Sequence, residues 1–229
     1  MEQYSLEIAF DATLTIMENL LADIEQDTLN TSSITGVKHI DPKVIQAIKS
    51  IDRRLFVRPQ DQAQAFADHP LSIGCGQTIS QPFIVALITH LIEPSAQDKV
   101  LEVGSGSGYH VAILSKLCKE VFGIELIAEL AERSRYNLSK AHIHHATIVV
   151  GDGNLGLPEH APFDKIIVSA AANRLPQLLL DQLSMDGILV LPKSMSPYDQ
   201  MLIQVKKISA TEFKMTDILP VRFVPLINS

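Results

Sequence analysis

Between residues 98 and 207 the chain repeats one alternation. A short run of Val, Ile and Leu is followed by a stretch with helical periodicity, then by another apolar run. The runs are KVLEV, EVFGIE, ATIVV, DKIIVSA, GILVLP and MLIQVKK, and patterns such as GYHVAILSKL and LIAELAERSRYNL separate the early ones. Strands that are apolar throughout need cover on both faces, and strands joined through helices run parallel. The alternation therefore implies an α/β architecture: an open, doubly wound, mostly parallel sheet with helices on either side. The last run, FKMTDILPVRFVPL, predicts an antiparallel edge.

Upstream the texture differs. Leu6, Phe10, Leu14, Met17, Leu21 and Ile24 recur at helical spacing and predict one apolar helix face, after which EQDTLNTSSITG breaks the pattern and reads as a loop. In DPKVIQAIKSI, Asp41 is placed to cap a helix with Pro42 in its first turn and Val44, Ile45 and Ile48 facing inward. Residues 1–95 are thus expected to be a helical extension and loop belonging to the same domain as a core at 96–229. A chain of 229 residues with 46% hydrophobic and 20% charged residues needs no metal or disulfide to hold a core.

Charge and cysteine usage narrow the partners. A net charge of −7 with no Lys/Arg cluster argues against nucleic acid. The two cysteines, Cys75 and Cys118, are far apart in sequence, which favours a reducing compartment, the cytoplasm. The acidic N-terminus lacks a basic leader region and reads as neither a signal peptide nor a membrane span. HIHH (His142, His144, His145) has no further ligand at metal spacing and reads as a solvated connection; EHAPFDK reads as a solvated turn.

In VLEVGSGSGYH, Gly104, Gly106 and Gly108, with Ser105 between the first two, fall where the first strand of the alternation turns into its first helix. Such a turn lets a ligand approach the backbone and the amides of the helix start. Glu125, followed by Leu126, ends the next strand about twenty residues on, where a carboxylate can grip ribose hydroxyls. The dinucleotide fingerprint asks for a small residue where Tyr109 stands. G-x-G-x-G preceded by the acidic Glu102 is instead the pattern of S-adenosylmethionine-dependent methyltransferases. In GDGNLG, Asp152 and Gly153 follow the third strand; Asp152 is a candidate acceptor for an adenine amino group, although Gly-Asp-Gly is also good turn chemistry.

A further stretch, IGCGQTISQP at 73–82, packs glycines, hydroxyls and glutamines in front of a proline, a composition that suits a loop presenting polar groups. PLSIGCGQTISQP, VLEVGSGSGYHVAIL, GDGNLGLPEHAPFDKIIVSAAA and LPVRFVPL closely resemble, in order, segments of the protein-L-isoaspartate (D-aspartate) O-methyltransferase family, and IDPKVIQAIKSIDRRLFV resembles its segment upstream of the loop. The resemblance runs from about residue 40 to the C-terminus. It implies a Rossmann-like class I methyltransferase fold with S-adenosyl-L-methionine as cofactor. It also implies isoaspartyl-containing proteins and peptides as substrates; a monomer with no membrane or nucleic-acid partner is expected. Carried over, the active-site serine is Ser80, with Gln77, Thr78 and Ile79 bordering cofactor and peptide, and LPVRFVPL framing the substrate side. Three departures stand out: Ser72 where the family has proline, Met185-Asp186-Gly187 for Pro-Gly-Gly, and Ile51-Asp52-Arg53 for Val-Pro-Arg.

The implied reaction moves a methyl group to a carboxylate that is already ionised near neutral pH, so no strong base is required. Ser80 is then a positioner rather than a nucleophile. Thr78 and Ser80 are equally suited to capping a helix that starts at QPFIVALITHL. Cys75 reads as incidental and Cys118 as a small core residue. Two rival readings remain: a methyltransferase of the same fold acting on another carboxylate or small molecule, and a cofactor-binding module without turnover.

Overall fold

The structure, a computed structural model, describes residues 2–227, with side chains from Thr15 onward. In chain order the elements are α1 (Glu2–Thr35), α2 (Pro42–Lys49), β1 (Leu71–Gly74), β2 (Gln77–Ile79), α3 (Pro82–Leu91), β3 (Lys99–Val103), α4 (Tyr109–Leu114), β4 (Glu120–Glu125), α5 (Ala128–Lys140), β5 (Ala146–Val150), β6 (Phe163–Val168), α6 (Gln177–Asp181), β7 (Leu183–Ser194), β8 (Gln200–Lys207) and β9 (Phe213–Val221). The alternation after residue 98 becomes a seven-stranded sheet in the order β5-β4-β3-β6-β7-β8-β9. The five strands from β5 to β7 are parallel, and the antiparallel edge is two strands wide, β8 and β9.

Strand parity sets the two layers of core. Val100, Val121 and Ile167 point to one face and join Leu20 and Ile24 of α1, Val44 and Ile48 of α2, and the buried side of α3. Leu101, Val103, Ile166 and Val168 point to the other and pack with Leu179 and Leu180 of α6. Side chains two apart share a face, so each strand supplies both layers. The sequence leaves β3 toward β4 and β5, then returns on β3's other side as β6. That reversal opens a crevice at the carboxyl ends of β3 and β6, where ligands of open α/β sheets bind.

Three expectations are corrected. EQDTLNTSSITG is helical: α1 continues to Thr35 and stops at Gly36, whose φ is +72°. The hydroxyls are absorbed by the helix itself. Those of Thr28, Thr31 and Thr35 donate to carbonyls four residues back, Ile24, Asp27 and Thr31, at 2.7, 2.8 and 3.1 Å. Leu20, Ile24 and Thr28 are buried on the face that meets α3, and Met17 and Leu21 flank them; the side chains of Leu6, Phe10 and Leu14 lie outside the described residues. Second, the polar stretch at 73–82 contains a hairpin. β1 pairs antiparallel with β2 through a two-residue turn, Cys75-Gly76, with φ of 53° and 71° at its centre. Positive φ at both positions matches the right-handed twist of a hairpin. Third, GYHVAILSKL forms a shorter helix than its periodicity suggests, ending at Leu114. Asp41 caps α2 as expected, accepting from the Lys43 amide at 2.9 Å. No helix among the described residues is long and apolar enough to cross a membrane.

Candidate active site

The glycine turn follows β3 and is shaped by what lies behind it. Gly108 has φ of 90°, and a Cβ there would meet Ser134 Oγ at 2.4 Å, so only glycine fits. Gly106, at φ of 53°, donates its amide to Glu125 Oε2 at 2.8 Å, and Ile127 donates to Oε1 at 3.0 Å. Glu125 therefore ends β4 with its carboxylate fixed at the mouth of the turn. Gly104, Gly106, Glu125, Leu126 and Gly153 form one wall of a cleft, and Ile73, Gln77 and Thr78 of the hairpin form the opposite wall. The roof is the C-terminal segment Val224–Ile227, which Ala171 holds by donating to the Val224 carbonyl and accepting from the Leu226 amide, both at 2.8 Å.

Deeper in, a small recess is bordered by Ile79, Ser80, Glu102, Ser105, His110 and Ser169. Glu102 is 2% exposed; its Oε1 accepts from the Ser169 hydroxyl at 2.7 Å, while its Oε2 is buried with no hydrogen-bond partner. Burial, with Glu125 nearby, pushes the Glu102 carboxyl up to about 8, against the Ser169 hydroxyl and the Val111 amide, which favour the carboxylate. His110 Nδ1 stands 3.6 Å from Glu102 Oε1, and its Nε2 is 2.8 Å from the Thr89 hydroxyl. That hydroxyl is itself donated to the Val85 carbonyl at 2.6 Å, so Nε2 carries the hydrogen and Nδ1 offers a lone pair toward Glu102. Burial holds His110 down at about 3, so the ring is neutral. A neutral imidazole lone pair beside a carboxyl favours the protonated acid, in agreement with its raised value.

On the far side of the hairpin lies an open cleft of about 540 Å³ bordered by Thr78, Ser80, Gln81, Ile84, Asp27 and Thr31 of α1, and Leu219 to Val224. A volume of this size suits an extended small ligand or a few residues of peptide. Thr78 and Ser169 border all three spaces, and Ser80 borders the recess and the open cleft. Among the described residues the Ser80 hydroxyl makes no hydrogen bond, so it is free to meet a ligand there.

The capping reading of Thr78 and Ser80 is overturned. The residue before α3 is Gln81, without a side-chain cap, and the Phe83 amide is taken instead by Asp68 Oδ1 at 2.8 Å. Asp152 holds its own turn, with Oδ1 accepting from the Asn154 amide and side chain at 2.9 and 2.8 Å. It borders a separate open cleft of about 1090 Å³, with Arg174 and Leu226, whereas its neighbour Gly153 borders the cleft over the glycine turn. Tyr109 is buried against Phe56, with ring centroids 5.6 Å apart; it borders the recess but not the cleft over the glycine turn. Cys75 is exposed on the hairpin turn, and burial pushes the Cys118 thiol up to about 12. His142, His144 and His145 are exposed, and no metal-binding group of side chains occurs among the described residues.

Sequence reasoning missed Ser169, His110, Asp27 and Thr31. Ser169 had a signal, because it directly follows a buried strand, β6, at the reversal of strand order. The other three reach the site only through packing.

A doubly wound sheet with a cleft over a G-x-G-x-G turn, and a carboxylate from the end of the next strand at its mouth, defines the class, a Rossmann-like methyltransferase. The profile of the family described as protein-L-isoaspartate(D-aspartate) O-methyltransferase matches residues 26–229, and the chain belongs to that family. It is 44% identical over 210 residues to protein-L-isoaspartate O-methyltransferase 1 of Geotalea uraniireducens, covering 91% of this chain and 95% of that one. The protein-L-isoaspartate O-methyltransferase of Parvibaculum lavamentivorans is 44% identical over 190 residues, covering 82% of this chain and 85% of that one. Among solved structures, a putative protein-L-isoaspartate O-methyltransferase from Plasmodium falciparum in complex with S-adenosyl-L-homocysteine superposes with a TM-score of 0.76. Its sequence identity is 25%, and the match covers 94% of this chain and 98% of that one.

Proposed function

We propose that the chain is an S-adenosylmethionine-dependent methyltransferase that esterifies the α-carboxylate of L-isoaspartyl, and D-aspartyl, residues in damaged proteins and peptides, opening their repair through a succinimide. The observation that carries this reading is that Ser80, with Thr78 and Ser169, borders both the recess beside the glycine turn and the open cleft. A methyl donor on one side and a carboxylate on the other would meet there.

The residues present suit the cofactor. Glu102 Oε2 and the Ser105 hydroxyl are buried without partners in the recess, a polar demand that an ammonium and a carboxylate satisfy together. Glu125 would take the ribose hydroxyls, Leu126 and Gly153 would flank the base, and Asp152 would accept from its amino group. S-adenosylmethionine, when bound, supplies an electrophilic methyl on a sulfonium. Everything else falls to the chain. The Ser80 hydroxyl orients the acceptor carboxylate, while Thr78 and Ile79 keep water from the passage and Leu219–Val224 run along the peptide. No residue has to remove a proton, because the acceptor carboxylate is already ionised. Orientation of two bound reactants is worth roughly 7–11 kcal/mol, enough to make positioning the principal contribution.

We read the chain further as a cytoplasmic monomer that meets neither membrane nor nucleic acid. Its net charge of −7 and its two separate thiols support that reading. The decisive experiment offers labelled S-adenosylmethionine with an isoaspartyl peptide and, separately, its normal aspartyl twin. Label on the isoaspartyl peptide alone is expected. Equal labelling of both, or label only on a small carboxylate, would replace the substrate assignment.

A further inference from the structure

We propose that Arg53, which touches neither the cleft nor the recess, is a positioning residue that locks the Ser80 backbone to the glycine turn. Arg53 opens the short turn Arg53–Phe56 and is fully buried. Its Nη2 donates to the Ser80 carbonyl at 2.8 Å, across 27 residues of sequence. Its guanidinium carbon lies 4.6 Å from the centre of the Tyr109 ring, and Tyr109 is the first residue of α4, directly after Gly108. One side chain thus joins the carbonyl of the substrate-side serine to the residue that closes the cofactor turn.

The burial of this cation is not explained by stability. Its Nε and Nη1 make no well-formed hydrogen bond and no carboxylate among the described residues lies within 4 Å, so its burial is offset only by the Ser80 carbonyl, the Tyr109 side chain and the more distant charge of Asp68. A guanidinium buried on those terms is costly, and an apolar side chain of similar volume commonly replaces such a charge without loss. What an apolar side chain cannot do is hold the Ser80 carbonyl. Asp68 meanwhile holds the next residues, accepting from the Gln81 side chain at 2.7 Å and from the Phe83 amide at 2.8 Å. Residues 80–83 are therefore clamped from two sides through groups other than the Ser80 hydroxyl. Fixing the carbonyl fixes the direction of the Ser80 Cα–Cβ bond, and with it where the free hydroxyl points.

This inference rests on the role given to Ser80 above, and a double-mutant cycle separates the two. Arg53→Met keeps bulk and removes the donor, and circular dichroism checks that it folds. A displacement of the serine by about 1 Å would cost roughly a hundredfold, so kcat for an isoaspartyl peptide should fall roughly ten- to a hundredfold, with the dissociation constant for S-adenosylhomocysteine held within about twofold. In a Ser80→Ala background the same change should cost little more, because the hydroxyl it aims is gone. Effects of the two changes that multiply, or a wild-type kcat in Arg53→Met, would overturn the positioning role while leaving the methyltransferase reading intact. A wild-type rate in Ser80→Ala would overturn both the serine's role and this one. Should Arg53→Met not fold, Arg53→Lys replaces it in the cycle. Lysine keeps the charge and loses the fork, and the same non-additivity is expected.

Discussion

The Ser169 hydroxyl donates to Glu102 Oε1 at 2.7 Å, joining the carboxyl ends of the neighbouring strands β3 and β6 across 67 residues of sequence. This bond sits where the strand order reverses, so it closes the floor of the site at the point where the fold opens it. It also leaves Glu102 Oε2 as the one oxygen of that carboxyl without a hydrogen bond.

Glu102 should make the stability of the cofactor-free protein fall with rising pH. Its carboxyl is pushed from an ordinary 4.5 up to about 8. The folded state then binds the extra proton, and the contribution is fully present below about 4.5 and lost as pH rises through about 8. His110 works in the opposite direction. Held down at about 3 from 6.5, it contributes fully above about 6.5 and loses that contribution as pH falls toward 3. The two slopes oppose each other between about 4.5 and 6.5, and above that window Glu102 acts alone. Melting curves should show the midpoint dropping between pH 6.5 and 8.5 in wild type and dropping less in Glu102→Gln. Parallel drops in both proteins would remove Glu102 as the cause.

The same carboxyl should make cofactor binding release a proton. A cation brought to Glu102 Oε2 favours the carboxylate over the acid, so binding at pH 7 is expected to expel up to about one proton. Titration calorimetry with S-adenosylhomocysteine, in buffers of different ionisation enthalpy, reads that number directly. The buffer dependence should vanish in Glu102→Gln; a wild-type enthalpy that ignores the buffer would contradict the assignment.

Much of this was legible in the sequence because it is local. The strands from β3 to β8 announce themselves as apolar runs, the glycine turn as a spacing, and Glu125 as the last residue of a strand. What escaped notice depends on partners distant in the chain or on competition between local preferences. Thr28, Thr31 and Thr35 favour turns in isolation, and they stay helical because Leu20 and Ile24 bury the helix against α3 while the hydroxyls bond backward. The hairpin strands span four and three residues, too short for alternation to register. Arg53 and His110 read as ordinary polar residues in sequence. Only packing brings the first to Ser80 and the second to Glu102.

Glu125→Ala should weaken cofactor binding by roughly 1.5–3 kcal/mol, the scale of hydrogen bonds to a charged group. Part of that loss will come from the turn, since Gly106 and Ile127 both donate to this carboxylate. Glu125→Gln keeps one acceptor for those amides and separates the contributions. It should bind more weakly than wild type and more tightly than the alanine variant. Equal dissociation constants in all three proteins would take Glu125 out of the site.

Removing residues 223–229 should leave the fold intact and damage the site. β9 ends at Val221, so the sheet is complete without them, whereas Val224–Ile227 roof the cleft over the glycine turn through the two bonds to Ala171. Loss of one buried aliphatic contact is worth roughly 1.5–3 kcal/mol, about tenfold or more in affinity. The truncated protein should therefore keep its far-ultraviolet circular dichroism and bind S-adenosylhomocysteine at least that much more weakly. Unchanged affinity would show that the roof does not bear on the ligand.

Ser80→Ala tests the passage on which the functional reading turns. If the hydroxyl orients the acceptor carboxylate, the change deletes one charge-assisted hydrogen bond, worth roughly 1.5–3 kcal/mol. Each 1.36 kcal/mol is about tenfold in rate, so kcat/KM should fall roughly ten- to 150-fold. A missing nucleophile would cost on the order of a million-fold, which separates the two roles cleanly. Stability gives the second readout. Gln81 rather than Ser80 precedes α3, and Asp68 satisfies the Phe83 amide, so the helix start does not depend on the serine hydroxyl. The Arg53 bond goes to the Ser80 carbonyl and survives the substitution. Melting temperature should consequently stay within about 2 °C of wild type, the shift expected for a surface change of under ~0.5 kcal/mol. A rate unchanged by the substitution would mean that the loop positions substrate through its backbone alone. A large fall in melting temperature would show that the hydroxyl holds the hairpin together rather than the substrate.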